Sequence, residues 1–260
     1  MAVTEMRSIA EFGDFFRRYQ QLTGDAGIEG NDEADTPCCD DFIGSFNRIR
    51  PEFSRLLEAV RQEEKEFAPR FNIYRALHIE RKEAVCHTPM LAHLLDPSAS
   101  HGQGMAFLKP FLNMVQRRSV SKPPDGFLEG GHWTVLREFY IAGVGILDVL
   151  IENPGKKCIV VIENKIDAND HLGQLPNYKA WAEESRRDYD WRYLIYLTPD
   201  GRCPKSEKAR DWLCLSYKKD IRAVLKEALH EVNAIPVQEA VRQYLSILSE
   251  LSEDSDDQGS

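Results

Sequence analysis

The stretch Gly145-Ile-Leu-Asp148-Val-Leu-Ile-Glu152-Asn-Pro154-Gly-Lys-Lys-Cys158-Ile-Val-Val-Ile-Glu163-Asn-Lys165 decides how the rest of the chain is read. Two short, β-branched, apolar runs flank a Pro-Gly turn, which is the pattern of a β-hairpin. Each run carries charge where a buried strand should not. Residues two apart share a face of a strand, so Ile146, Asp148 and Leu150 are expected to point one way, as are Val161, Glu163 and Lys165. A four-residue loop at 154–157 sets Asp148 directly opposite Glu163; a two-residue turn makes them diagonal neighbours, about 7–8 Å apart. Either register gathers two carboxylates and one ammonium.

Two carboxylates facing each other in an apolar hairpin repel, and desolvation adds to the cost, so one stays protonated unless a cation is present. A divalent ion resolves the conflict. Carboxylate oxygens without imidazole or thiolate partners suit a hard ion, so Mg²⁺ is the expected cofactor and Mn²⁺ its expected substitute. Lys165 then stands beside the attacking water and the anion to be attacked, the layout of metal-assisted phosphodiester hydrolysis.

Asp148 followed by Glu163-Asn164-Lys165 resembles the signature of the PD-(D/E)XK nuclease superfamily. Two flanking stretches resemble one branch of it. Upstream, Glu83-Ala-Val-Cys-His87-Thr88 runs into Leu94-Leu95-Asp96-Pro97, then His101-Gly102 and Phe107-Leu108; downstream come Gln174-Leu175 and Tyr178. The resemblance covers about residues 71–198, and departs from the family's pattern in having leucine, not proline, before Asp148. It implies an α/β restriction-endonuclease-like core, a mixed four- to five-stranded sheet flanked by helices, with extra N-terminal helices. It also implies a metal shell of Asp148, Glu163, the backbone carbonyl of Asn164 and Glu83, the last acting directly or through water. Lys165 would position the water and stabilise charge on the phosphate. Gln174 would orient water or phosphate, Tyr178 would contact backbone phosphate or a base, and His87 would bond the scissile phosphate or support Glu83.

The net charge of −9 argues against a nucleic-acid partner only until its distribution is examined. Residues 1–41 hold ten acids against three bases, and residues 250–260 hold five acids and no base, which leaves about +3 for residues 42–249. The body is mildly basic, and phosphate contacts would give modest, salt-sensitive affinity. No apolar run reaches the roughly 18 residues of a membrane span. The six cysteines show no CxxC pair, so reduced thiols and a cytoplasmic location are expected.

Along the chain, residues 1–70 form a helical N-terminal region, with amphipathic helices over 4–22 and 41–67 separated by an acidic linker at about 23–41. Pro51 is expected to start a fresh helix or bend the second one. Residues 71–251 form the nuclease domain. Its expected helices lie at 71–79, 83–95, 104–117, 169–187, 217–231 and 235–251, and strands at 132–141 and 191–197 and 212–216 flank the hairpin. Residues 252–260 are an acidic disordered tail. Within these, Glu83 and His87 fall four apart on one helical face, Glu138 is expected to pair with Arg137 or a lysine, and Glu152 to face solvent at the turn.

The resulting expectation is a Mg²⁺-dependent hydrolase acting on DNA, with RNA not excluded, in bacterial defence against foreign DNA; the defence role rests on analogy. The alternative is a non-cleaving nucleic-acid-binding or assembly module that keeps the fold. Since the sequence contains no sensor domain, restraint would come from a homo-oligomer, a ligand or a regulatory partner protein.

Overall fold

Asn153 caps the hairpin's own turn. Its side-chain oxygen accepts from the Lys156 N–H at 3.1 Å, Pro154–Lys156 makes one 3₁₀ turn, and Lys157 closes it in a left-handed conformation at φ 47°. Four residues therefore join the strands, and loop length selects the directly opposed register. Asn153 pairs with Cys158, Leu150 with Val161 and Val149 with Ile162; the same register one step further sets Asp148 opposite Glu163.

The computed structural model describes residues 39–120, 122–167, 173–204 and 211–251, with the backbone alone at 39–50 and 52. The expected helix over 4–22, nearly all of the acidic linker and the tail from 252 lie outside the described residues. The chain divides into two units, Met1–Pro69 and Arg70–Ser260. In the first, α1 (Cys39–Phe67) is one continuous helix with Pro51 inside it, so that proline does not start a fresh helix.

The second unit is built on five strands that neighbour one another in chain order: β1 (Thr134–Ile141), β2 (Gly145–Asn153), β3 (Cys158–Asn164), β4 (Trp191–Thr198) and β5 (Leu213–Ser216). The first three are antiparallel and the last three parallel, because the helix between β3 and β4 carries the chain back to the same end of the sheet. Around the sheet stand α2 (Ile73–Ala76), a wide π-type turn Glu83–His87 leading into α3 (Thr88–Leu95), α4 (Leu108–Arg118), α5 (Gln174–Ser185), α6 (Arg222–Ala228) and α7 (Ile235–Glu250). This is the mixed, helix-flanked sheet that the sequence implies.

Side chains of β3 alternate between two cores. Val160 and Ile162 pack with Leu91 and Leu95 of α3, Phe111 of α4, Val224 of α6 and Tyr244 of α7, while Ile159 and Val161 pack with Leu175, Tyr178 and Ala182 of α5. Both faces of β3 are thus covered, which explains why it reads as an unbroken apolar run up to Glu163.

Alternation fails once, across Asp148. Val149 and Ile151 belong to the first core, but Leu147 joins Leu150 in the second. On β1 the same change separates Val135 from Phe139 and Ile141, and between them Glu138 adopts φ 52°. Pairing between β1 and β2 skips from Arg137↔Val149 to Phe139↔Leu147, so the ladder opens at Glu138 and Asp148. Ile146, expected to share a face with Leu150, is instead 55% exposed.

Two further expectations are corrected. Glu152 does not face solvent: it is 9% exposed and held by Arg186, whose Nε lies 2.5 Å from Oε1, because that guanidinium reaches over from the end of α5. Nor are all six thiols reduced. Cys203, in the segment after β4, and Cys214 on β5 form a disulfide, with Cα atoms 5.4 Å apart and a sequence separation of eleven residues. Cys86 and Cys158 are free and buried.

Gly145 opens β2 at φ 148°, and a Cβ there would lie 3.2 Å from the Tyr178 hydroxyl. Gly145→Ala is therefore expected to destabilise the fold by about 1–3 kcal/mol, from backbone strain and crowding together. Urea unfolding measures it, and an unchanged midpoint and slope would remove the argument.

Candidate active site

The break in the β1–β2 ladder leaves Asp148 at the edge of the hairpin, where its side chain substitutes for a strand partner. Its Oδ2 accepts from the Asn164 N–H at 2.7 Å, one step beyond the last β2–β3 pair. Glu163 is 1% exposed and Lys165 6% exposed, with Nζ 2.7 Å from Glu163 Oε1. That contact is a close ion pair at Oε1, and among the described residues the buried Glu163 Oε2 has no hydrogen-bond partner. The two carboxylates and the ammonium are thus brought together as the sequence implies.

Glu83 arrives from the other side of the site. Its backbone C=O accepts from the Thr88 N–H across the wide turn, and its carboxylate Oε2 accepts from the Ile166 N–H at 2.7 Å, immediately past Lys165. The charge of Glu83 is felt at Asp148, Glu163 and Lys165 alike. One acid each from β2, β3 and the turn before α3 therefore shares one electrostatic neighbourhood. Glu138 acts on Asp148 as well, but its carboxylate pairs with Arg137 at 3.7 Å, as expected.

Burial dominates the protonation of the pair. It pushes Asp148 up to about 6, against the opposing pull of the Asn164 N–H and Lys165. Glu163 is pushed up to about 8, first by burial and then by the charge of Asp148, with Lys165 opposing. For Lys165, burial works against the cation, but Glu163 and the other acids more than offset it and its pKa rises. Lys165 stays charged, and burial shifts Glu163 toward its protonated form against the pull of Lys165.

The residues fit a hard divalent ion in one respect that can be checked on the molecule. Among the described residues the buried Glu163 Oε2 is without a hydrogen-bond donor, opposite a second carboxylate, while Oε1 is already taken by Lys165. Such acceptors call for a cation or a proton. Among the described residues no three Asp, Glu, His or Cys side chains converge as ready-made ligands, since the Glu83 carboxylate is turned to Ile166.

The remaining anticipated residues are placed differently. His87 is fully buried, with Nδ1 3.0 Å from the Tyr244 hydroxyl and Nε2 2.9 Å from the Glu80 carbonyl oxygen. Burial holds its pKa down at about 4, so the ring is neutral. Its backbone N–H donates to the Lys82 carbonyl across the wide turn, and its ring points into the protein, to Tyr244 and Glu80. Tyr178 is 1% exposed; its hydroxyl donates to the Ile146 carbonyl at 2.5 Å and accepts from Gln174 Nε2 at 3.2 Å. Gln174 and Tyr178 thus form one bonded pair on α5, anchored to the start of β2. His101 is bound within its own loop, Nε2 to the Asp96 carbonyl oxygen at 2.9 Å and Nδ1 accepting from the Gln103 N–H at 3.0 Å.

Sequence reading missed the Asn164 side chain, of which only the carbonyl was anticipated. Its Nδ2 donates to Thr88 Oγ1 at 2.9 Å. Period-two alternation carries the signal: with Glu163 and Lys165 on one face, Asn164 must face the other, toward α3. Two clefts of about 550 and 540 Å³ lie apart from these acids, one between Gln103 and Glu231, the other around Gly131 and the hairpin turn.

An antiparallel hairpin continuing into parallel strands, with Asp on the second strand and Glu-x-Lys on the third, defines a restriction-endonuclease-like α/β protein. The family model of the PD-(D/E)XK nuclease superfamily matches residues 71–246, and the chain belongs to that superfamily. Its members are in general nuclease hydrolases that typically use divalent metals. No curated protein and no solved structure matches the chain. Among the described residues no helix is long and apolar enough to cross a membrane.

Raised acid pKa values give stability that is present at low pH and lost as pH climbs through the folded values, here about 6 and about 8. In EDTA, the Tm of the wild type is therefore expected to fall relative to that of Glu163→Gln as pH rises from 6 to 9. Parallel curves across that range would show that Glu163 does not fold in its protonated form.

Proposed function

We propose that this chain is a Mg²⁺-dependent nuclease that hydrolyses DNA phosphodiester bonds, with Mn²⁺ able to substitute. The observation that carries the reading is the half-buried Asp148 opposed to the buried Glu163, with Lys165 2.7 Å from Glu163. Nothing in the packing of a hairpin requires two like charges there, and an unpaired buried carboxylate is costly to keep. In this reading Asp148 and Glu163 hold the ion, joined by the Asn164 carbonyl, while Glu83 completes the shell.

When bound, the divalent ion supplies Lewis-acid polarisation of the phosphate and lowers the pKa of water. The rest falls to the chain. Lys165 keeps its positive charge in a site that water barely reaches, where it stabilises charge developing on the phosphoryl oxygens; preorganised charge of this kind is commonly worth about 3–4 kcal/mol of barrier. Asp148 is held by the Asn164 N–H, so its carboxylate reorganises little when the ion binds. Gln174 lies next to Tyr178 at the amino end of α5, at the rim of the site, and is suited to orient a water or a phosphate oxygen. Tyr178 and His87 act as positioning residues and not as substrate ligands, because their polar atoms are engaged inside the protein.

The mildly basic charge of residues 42–249 supports a polyanionic substrate bound with salt-sensitive affinity. A role in defence against foreign DNA in the cytoplasm, with a homo-oligomer or partner protein as restraint, belongs to the same proposal and rests on the superfamily. So does the division into a helical region at 1–70, a nuclease domain at 71–251 and an acidic tail.

The test incubates the full chain with circular plasmid, linear duplex, single-stranded DNA and RNA in Mg²⁺, Mn²⁺ or EDTA. Metal-dependent cleavage is expected, and Lys165→Ala and Asp148→Ala should each lower its rate about 10²–10³-fold or more. Cleavage that survives both substitutions refutes the assignment. Nucleic-acid binding without cleavage, unaffected by either substitution, would instead favour a binding module.

A further inference from the structure

The middle residue of Glu163-Asn164-Lys165 makes two bonds in opposite directions. Its N–H donates to Asp148 at 2.7 Å, and its side-chain amide donates to Thr88 at 2.9 Å. Asn164 is fully buried and Thr88 is 1% exposed. A buried amide and hydroxyl stabilise the fold only when they meet a partner, so this bond fixes where the amino end of α3 sits on the sheet. Thr88 in turn holds the turn that bears Glu83, since its N–H donates to the Glu83 carbonyl. The Glu83 carboxylate closes the circuit on the Ile166 N–H, two residues after Asn164.

Three acid-bearing segments therefore meet at one residue. β2 is tied through the Asp148 carboxylate, β3 is Asn164's own strand, and the turn is tied through Thr88. Strand alternation makes this compatible with the site: Glu163 and Lys165 face one way, and Asn164 faces the helix layer. Each tie reaches Glu83 or Asp148 without any contact to substrate.

We propose that Asn164 and Thr88 are positioning residues that hold Glu83 against the Asp148–Glu163 pair, so that the contribution of Glu83 to divalent-ion binding depends on the Asn164–Thr88 bond. The inference rests on the metal-binding reading above and deepens it. Thr88→Val keeps the volume of the side chain and removes the acceptor, whereas Thr88→Ser keeps the hydroxyl. Outer-shell partners of this kind typically hold about 10- to 100-fold of metal affinity.

Mn²⁺ titration of the full chain by calorimetry, on wild type, Thr88→Val, Thr88→Ser, Glu83→Gln, Glu163→Gln and the Thr88→Val/Glu83→Gln double variant, tests it without reference to cleavage. Thr88→Val is expected to weaken Mn²⁺ binding about 10-fold, at the lower end of that range, and Thr88→Ser to restore it. The double variant is expected to bind no more weakly than Glu83→Gln alone, because Thr88 acts through Glu83. A purely structural Thr88 would add its loss to that of Glu83 and overturn the proposal, as would wild-type affinity in Thr88→Val. A wild type that binds Mn²⁺ no better than Glu163→Gln overturns the metal reading itself and this inference with it.

Amide exchange supplies a readout independent of metal and of the affinity series. The Ile166 N–H is held by Glu83, so its exchange should accelerate in Thr88→Val and return toward the wild-type rate in Thr88→Ser. Unchanged protection of Ile166 in Thr88→Val would also refute the proposal.

Discussion

Like charges confined in an apolar hairpin are the constraint to which the rest of the second unit answers. Glu163 is all but inaccessible, and Asp148 faces it from the neighbouring strand. Coulomb repulsion between carboxylates is weak in water and grows several-fold as the effective dielectric falls, which is why burial, before any named neighbour, sets both pKa values. The surroundings answer with donors: Lys165 for Glu163, the Asn164 N–H for Asp148, and the Ile166 N–H for Glu83. Two of these donors are backbone groups left over where a strand ladder ends. The site is thus made largely from the ragged end of the sheet, with one lysine added.

That ragged end depends on events several residues away. A four-residue turn, capped by Asn153, fixes the register that opposes the acids. An interruption at Glu138 and Asp148 then turns the far end of the β1–β2 ribbon over, freeing Asp148 from regular pairing. A non-glycine residue in the left-handed region costs about 1–3 kcal/mol and persists only where the surroundings over-determine it. Here Phe139, Ile141 and Leu147, all packed into the second core, do the determining.

Much of this was legible in the residues. The hairpin and the meeting of Asp148, Glu163 and Lys165 follow from period-two patterning and a Pro-Gly turn, because those signals are local, whereas the mixed sheet was implied by the resemblance to the superfamily. What was not legible depends on tertiary closure. His87 looks available by spacing, yet the Glu80 carbonyl and a tyrosine from α7 claim both its nitrogens. Glu152 looks exposed at a turn, yet Arg186 reaches it from 34 residues on. Cys203 and Cys214 show no paired spacing, and only the folding of the segment after β4 back to β5 joins them. The flip at Asp148 left no mark in the hydrophobic pattern, since Leu147, Val149 and Leu150 are apolar on either face.

The same burial that makes the acid pair costly gives it discrimination. Without a metal, Lys165 offsets part of the negative charge and protons the rest, so the hairpin end loses stability as those protons leave. A monovalent cation would leave the opposed carboxylates with net negative charge in a poor dielectric. In the proposed metal-bound state a divalent ion would balance both at once and displace the protons, which would couple binding to proton release and to the stability of the hairpin end. Lys165 sharpens this selection: it already neutralises one charge at Glu163, so the residual demand is set by Asp148, Glu163 and Glu83 together. Whether Glu83 counts in that sum is decided by geometry, and its geometry is set from the opposite face of β3, through Asn164 and Thr88.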